Sequence, residues 1–405
     1  MSKIEELIEE LCPNGVEYRK LEDLCMITRG RVMSKDYIRN NIGNYPVYSS
    51  QTENNGQLGK IATYDFDGEY LTWTTDGAHA GAVFYRNGKF SVTNVCGLLK
   101  VTSKNITTKF LYYTLSIEAL KYVNAGMGNP KLMSNIVAKI KIPVPPLEVQ
   151  NEIVCILDKF TELSAELSAE LSARRKQYEF YRDELLNFDN NLLCPNGVEY
   201  RKLSDVFCQF SGMTGVSNKW KENGNCKFID YMNAYKNMKI DVSRLENATV
   251  KKLSQNKLIK GDILLTSASE TPDECAISSV IENNIMDNVF MDDHLFGIRL
   301  NSNYLKKLNP TFVNYYMHTK KFRKDVYKAV RGVTRFYISI DAFMQIKIPL
   351  PPLEVQNKIV RILDKFEKYC SDISEGLPAE IDYRKKQYEY YRDKLLNFKE
   401  LSLSE

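Results

Sequence analysis

Residues 141–188 read KIPVPPLEVQNEIVCILDKFTELSAELSAELSARRKQYEFYRDELLNF, and almost all of that stretch returns at residues 347–398. The second copy opens with KIPLPPLEVQNKIVRILDKF (347–366) and closes with RKKQYEYYRDKLLNF (384–398). Between those ends the copies differ in length: 14 positions separate Phe160 from Arg174, and 18 separate Phe366 from Arg384. The difference, 18 − 14 = 4 residues, is about one turn of helix, ~6 Å of rise. A long helix that changes length by a whole turn has the character of a spacer.

The helix itself follows from the residues. Neither Gly nor Pro occurs between Leu147 and Cys194, Pro143, Pro145 and Pro146 set an abrupt start, and Pro195 supplies a stop. Val149, Ile153, Ile156, Phe160, Leu163 and Leu167 alternate in steps of four and three, which draws a coiled-coil seam. A second step of four, from Leu167 to Leu171, is a stutter that locally unwinds a supercoil. It arises from the tandem TELS, AELS, AELS of residues 161–172, after which Tyr178, Tyr181, Leu185 and Phe188 resume the pattern. In the second copy the seam runs over Val355, Ile359, Ile362 and Phe366, then Tyr388, Tyr391, Leu395 and Phe398, and Gly376 and Pro378 are expected to break or kink it. A first helix of about 42 residues would be ~63 Å long, too long to bury its stripe on one small domain. The expected partner is the other copy, packed antiparallel.

Composition bounds the rest. A chain of 405 residues with 43% apolar and 26% charged residues reads as two or three globular domains. No apolar run approaches the ~20 residues of a membrane span, and the acidic, amphipathic MSKIEELIEEL is not a secretory signal. Nine cysteines without a CxxC pair, and three histidines (His79, His294, His318), predict a reducing cytoplasm and no metal site. A net charge of +4 neither requires nor excludes nucleic acid.

A second duplication completes the frame. CPNGVEYRKL at residues 12–21 recurs unchanged at residues 194–203. The chain is therefore two tandem units, each made of decapeptide, variable region, KIPxPPLEVQ and long helix. The variable regions, 22–139 and 204–345, share little sequence, which suggests similar modules that recognise different things. Both read as β-rich α+β domains. Asn87-Gly88 between apolar runs predicts a hairpin, Asp67-Gly68 predicts a turn before a strand at residues 70–74, and Gly261-Asp262 leads into another strand. Residues 109–123 and 312–330 have helical character, as do residues 4–11.

Catalytic motifs are missing: the sequence holds no phosphate loop, HExxH, GxSxG or cofactor-binding Gly-rich turn. Asp287, Asp292 and Asp293 read as a polar loop or strand edge, not as a metal-holding nuclease cluster. The modules do carry polar and basic residues on expected loops. The candidates for DNA contact are Arg29, Arg31, Ser50, Gln51, Thr75, His79 and Lys131 in the first, and Asn218, Lys219, Ser267, Ser269, Arg331 and Arg335 in the second. Arg and Lys can bridge guanine, Asn and Gln can pair with adenine, and Ser or Thr can serve phosphates or bases. Lys131 and Arg335 both stand in a Gly-x-x-basic context before the duplicated proline motif.

The two KIPxPPLEVQ segments, the two QYE[FY]YRD[EK]LLNF helix ends, the AELS repeats, and GEYLTWTTDGAHAG and GDILLTSASETP together resemble the specificity subunit of type I restriction-modification systems. The resemblance covers nearly the full chain. It implies a first target recognition domain within residues 1–145, a central spacer helix at 146–190, a second recognition domain at 191–351 and a C-terminal helix at 352–405. Each recognition domain would read one half of a split, asymmetric site in double-stranded DNA. The helices would form an antiparallel coiled coil with a pseudo-two-fold axis, its seam carried by Phe160, Leu163, Leu167, Leu171, Phe366, Tyr388 and Tyr391. Two methyltransferase subunits would dock on it, and restriction subunits would join through them. S-adenosylmethionine, ATP and Mg would belong to those partners, leaving this chain non-catalytic and without a cofactor or metal. A coiled-coil DNA-binding scaffold or repressor with no enzyme partner is the alternative.

Overall fold

The computed structural model describes residues 3–124, 126, 128–189, 193–213, 224, 226–248, 256–371 and 376–401. The chain divides into two compact units, one of residues 1–168 with 381–405 and one of residues 169–380. The first unit is thus built from both ends of the chain.

In the first unit α1 (Lys3–Leu11) is followed by β1 (Glu17–Lys20), α2 (Leu21–Leu24), β2 (Cys25–Arg29), α3 (Lys35–Asn40), β3 (Ile42–Tyr48), β4 (Gln57–Ile61), β5 (Phe66–Thr74), β6 (Val83–Val92) and β7 (Cys96–Val101). Then come α4 (Thr108–Lys121), α5 (Ser134–Val137), β8 (Lys141–Val144) and α6 (Leu147–Leu185), whose later residues enter the second unit. Six strands form one sheet in the order β2-β7-β5-β6-β3-β4. Central β5 is buried at each residue from Tyr70 to Thr74, so the alternation expected of a half-exposed strand is absent there.

The second unit continues with β9 (Glu199–Lys202), α7 (Leu203–Val206), β10 (Phe207–Ser211), β11 (Cys226–Ile229), α8 (Tyr231–Lys236), β12 (Glu246–Ala248), β13 (Ile263–Thr266), β14 (Ala268–Ser269), β15 (Ser278–Val280), β16 (Val289–Met291) and β17 (Leu295–Leu300). It closes with α9 (Pro310–Met317), α10 (Lys320–Ala329), β18 (Val330–Gly332), β19 (Phe336–Ile338), α11 (Ile340–Met344), β20 (Lys347–Leu350) and α12 (Leu353–Ser371), and α13 (Leu377–Leu396) follows. The α+β expectation holds, and no helix among the described residues is long and apolar enough to cross a membrane.

Although their sequences diverge, the two modules share a core. The sheet β10-β17-β13-β15 repeats β2-β7-β5-β6. Leu71 pairs with Leu99 and Tyr85 in the first, and Ile263 pairs with Ile298 and Val280 at the same point of the second. What differs is inserted around it: α3, β3 and β4 in one, and the small sheet β12-β11-β16 with α8 in the other.

The duplicated segments meet each other inside each unit. β1 pairs antiparallel with β8, Glu17 opposite Val144, and β9 pairs with β20, Glu199 opposite Leu350. Leu21 N then donates to Ile140 O, and Leu203 N to Ile346 O. Decapeptide and proline motif are two strands of one clasp.

Helix pairing runs antiparallel within each unit. In the first, Phe160 packs on Tyr388 (6.4 Å between ring centres) and Tyr391 (5.7 Å), while α1 ties both helices through Lys3–Glu152 and Lys394–Glu5 ion pairs. In the second, Tyr181 lies 5.8 Å from Phe366. Leu163, Leu167 and Leu171 are half-buried; the fully buried line near the start of α6 is Val149, Ile153 and Leu157, the last of which the heptad reading leaves off the seam.

Three expectations need correction. First, α6 ends at Leu185, about three residues short of the expected 42: Leu186 N bonds Arg182 O, Asn187 N bonds Glu184 O, and the Asn187 side chain accepts from Asp189 N. Leu186 and Phe188 then turn into the core of the second unit, so burial and local Asn bonding end the helix. At 39 residues its length is ~58 Å. Second, Asn87-Gly88 makes no hairpin. Both residues lie inside β6, where Gly88 faces Gly68 of β5 and both glycines have positive φ (97° and 112°). The connection between these strands is instead residues 75–82, and the two glycines let a long ladder twist where a side chain would be strained. Third, the predicted turn at Asp67-Gly68 is for the same reason the opening of β5. The expected interruption of the second long helix does occur, α12 ending at Ser371 and α13 starting at Leu377 with Pro378 in its first turn.

Candidate nucleic-acid interface

In the first unit the loops at one end of β5 and β6 are stitched together. Ser50 Oγ accepts from Thr75 N (3.1 Å) and donates to Asp76 O (3.2 Å), Thr93 Oγ1 donates to Ser49 Oγ, and Gln51 Nε2 donates to Gln57 O. Asp76 bridges Lys131, Gly77 N bonds Pro130 O, and Leu132 N bonds Thr75 O. Ser50, Gln51, Thr75, His79 and Lys131 therefore gather in one loop cluster. Within it His79 and Lys131 are exposed and Ser50 and Gln51 half-buried.

Thr75 has a different role from the one its type suggests. It is only 3% exposed, and its hydroxyl bonds Val95 O (2.8 Å), so it holds the loop and presents nothing to a ligand. Arg29 and Arg31 are exposed but engaged: Arg29 with Ser134 Oγ and Met133 Sδ, Arg31 with Asp65 and Tyr37. The Tyr37 bond, and then the Asp65 bond, also push the Arg31 pKa up.

Arg86 supports this cluster from beneath. Buried to 3% exposure, its guanidinium stacks 3.6 Å from the Tyr48 ring centre and donates to Thr72 Oγ1 and Asn55 O. That second bond grips the turn in which Asn54 and Asn55 take left-handed backbone angles.

The second unit repeats the arrangement. Thr266 answers to Thr74: each is buried, and each hydroxyl reaches across its loop, from Thr74 to His79 O and Ala82 N and from Thr266 to Glu274 O and Ile277 N. Ile338 N bonds Ser267 O as Leu132 N bonds Thr75 O, and Ala268 pairs with Tyr337 as Asp76 pairs with Lys131. The register sets Lys131 against Tyr337, and Pro130 against Phe336. The shared Gly-x-x-basic spacing of Lys131 and Arg335 is therefore not a structural equivalence.

Ser267 Oγ donates to His294 O and Ser269 Oγ to Glu274 Oε2, so both serines brace loops. Arg331 and Arg335 flank the exposed tip of the β18–β19 hairpin. Beside it is a cleft of about 820 Å³ walled by Tyr231, Ser269, Glu274, His294 and Arg335 among others. Bonds from Tyr235, Ser269 and Thr271 hold the Glu274 pKa below its usual value, while the bond to Asp292 raises that of His294. Asp292, Asp293 and His294 bring one potential ligand atom each within 4.8 Å of one another, in an exposed turn. Asn218 and Lys219 lie outside the described residues.

Sequence reading missed the residues that fasten each module to its long helix, at the starts of α4 and α9. Gln150 is fully buried, accepts from Thr107 N, and donates to Asn105 O and Pro145 O. Gln356 does the same with Asn309 N, Lys307 O and Pro351 O. Likewise Tyr113 OH donates to Asp158, and Tyr315 OH to Asp364. The available signal was identity: a polar Gln unchanged in both LEVQN copies.

Comparison with known proteins agrees with this duplicated design. The family described as type I restriction modification DNA specificity domain matches residues 13–174 and again residues 195–383. A Mycoplasma pneumoniae protein named as a type I specificity subunit is 37% identical over 385 residues, covering 94% of this chain and 97% of its own. The specificity subunit of the Mycoplasma pneumoniae MpnII type I restriction enzyme is 49% identical over 173 residues, 42% of this chain and 52% of that one. In fold, the crystal structure of an S subunit from M. genitalium aligns over 94% of this chain and 96% of its own with a TM-score of 0.56 at 15% identity. A solved chain of a type I R-M system aligns over 95% and 98% with a TM-score of 0.61, also at 15% identity. Matched by the family in both halves and by a relative along nearly its whole length, the chain belongs to the type I restriction-modification specificity subunits.

Proposed function

We propose that this chain is the DNA-reading subunit of its complex, binding a bipartite, asymmetric double-stranded site with one half-site per module. The observation that carries the reading is the pair of loop clusters. They are hung on the same backbone frame, yet they differ in chemistry where they match, Asp76 and Lys131 against Ala268 and Tyr337. A shared frame with unlike side chains at equivalent positions is what two readers of different sequences require.

Two methyltransferase subunits dock on the duplicated helical frame, and restriction subunits join through them. S-adenosylmethionine, ATP and Mg belong to those partners, this chain catalysing nothing and working in the cytoplasm. The test is to copurify the chain with a methyltransferase subunit and map methylated adenines in DNA exposed to the assembly. A two-part motif with a constant gap is expected. A chain that purifies alone and confers no sequence-specific methylation would sink the reading in favour of a scaffold or repressor.

A further inference from the structure

We propose that the β18–β19 hairpin of the second unit is its base-reading element, entering the major groove with Arg335 as a guanine reader. This deepens the DNA-reading function above and rests on it. The hairpin is rigid at its root. β19 pairs with β14, Ile338 N bonds Ser267 O, and Ser339 N bonds Ala329 O. Its tip stands clear, with Val333 89% exposed and Arg331, Thr334 and Arg335 exposed around it.

A thymine methyl is a suitable partner for the Val333 side chain. Neither Arg331 nor Arg335 has an ion-pair partner among the described residues. The Glu274 carboxylate on the wall of the adjoining cleft is occupied by Tyr235 OH (2.7 Å) and Ser269 Oγ (2.9 Å). Arg29 and Arg31, by contrast, are bonded within their own unit. Arg335 thus keeps its planar fork of donors free, the geometry that fits guanine O6 and N7. A two-stranded ribbon is also narrow enough for the ~12 Å major groove.

The first unit provides an internal comparison. Its equivalent segment is anchored through the same kind of backbone bond, Leu132 N to Thr75 O matching Ile338 N to Ser267 O, but six residues lie between the paired Asn124 and Lys131 where five lie between Arg331 and Tyr337, and none of the six is an arginine. The anchors are shared, and the tips differ in length and in side chains.

Methylated-adenine mapping of the complex assembled with wild type, Arg335→Ala or Arg335→Lys tests this. The expected result for Arg335→Ala is a roughly ten- to hundredfold loss of discrimination at one G·C pair of one half-site. The other half-site should be unchanged and reports that the chain is folded. Arg335→Lys, which keeps charge but not the fork, should also relax that pair. Where a variant methylates too weakly to map, binding of duplexes carrying the wild-type site and its single-base changes reads the same ratio. Unchanged base preference in both variants, or weakening that is uniform across sequences as for a phosphate contact, overturns the inference. A wild-type complex that yields no two-part motif instead overturns the function on which it rests.

Discussion

At the residue scale the molecule depends on a few buried polar side chains that the pattern of apolar residues does not reveal. Gln150 satisfies one amide and two carbonyls that would otherwise be orphaned where α6 meets the module. Gln150→Leu should lower the stability of the first unit by about 2–3 kcal/mol. Glu148→Ala, two positions earlier in the same turn but exposed, should stay within about 0.5 kcal/mol. Chemical denaturation of the two variants makes the comparison. His318 adds a pH dependence. Its Nε2 lies 2.8 Å from Ser278 O and so carries the ring proton, and burial pushes its pKa from 6.5 down to about 4. Because the folded pKa is the lower one, the unfolded chain takes up the proton first. Stability is therefore complete above pH ~6.5 and falls as pH drops toward 4, by roughly 2 kcal/mol between pH 7 and pH 5. His318→Asn should flatten that part of the denaturation-against-pH curve, and an unaltered slope would assign it to other groups.

At the element scale α6 is the part whose length can change most freely. Removal of residues 165–168 takes out one AELS unit, close to one turn and ~6 Å, and leaves Phe160 against Tyr388 and Tyr391, and Tyr181 against Phe366. Under the proposed function, methylation mapping should return both half-sites unchanged with only the gap between them altered. Altered half-site sequences would mean that the repeat is not a spacer. α12 and α13 do not form an uninterrupted counterpart, since α12 ends at Ser371 and α13 starts only at Leu377, and most of each serves a different unit.

At the scale of the whole molecule, chain order and structural membership part company. Leu395, Leu396 and Phe398 lie in the core that also holds Leu21, Trp73 and Phe110, Tyr18 OH bonds Phe398 O, and Val16 bridges Glu400. Ending the chain after Glu380 should therefore loosen the first unit and spare the neighbouring second. Hydrogen exchange is expected to rise across residues 1–168 while residues 194–371 keep their protection. The opposite pattern would show that the C-terminal helix serves the module nearest to it in sequence.

Much of this was legible in one dimension. One verbatim and one near-verbatim duplication establish the tandem frame, and the Pro-bounded, Gly-free run establishes a long helix, because both signals depend only on which residues recur and which cannot be helical. Burial and register were not legible. The Asn-Gly of residues 87 and 88 carries the mark of a hairpin and sits within a strand, because β6 pairs with a segment whose own glycine lies opposite. Thr75 and Ser267 look like ligands and hold loops, because hydroxyls near a buried carbonyl satisfy it first. That Lys131 corresponds to Tyr337, and not to Arg335, is a matter of what each pairs with, Asp76 in one unit and Ala268 in the other. The sequence by itself determined that there are two similar modules on long helices. Only the tertiary structure decided which positions of the two correspond, since correspondence rests on backbone hydrogen bonds that the side-chain sequence does not encode locally.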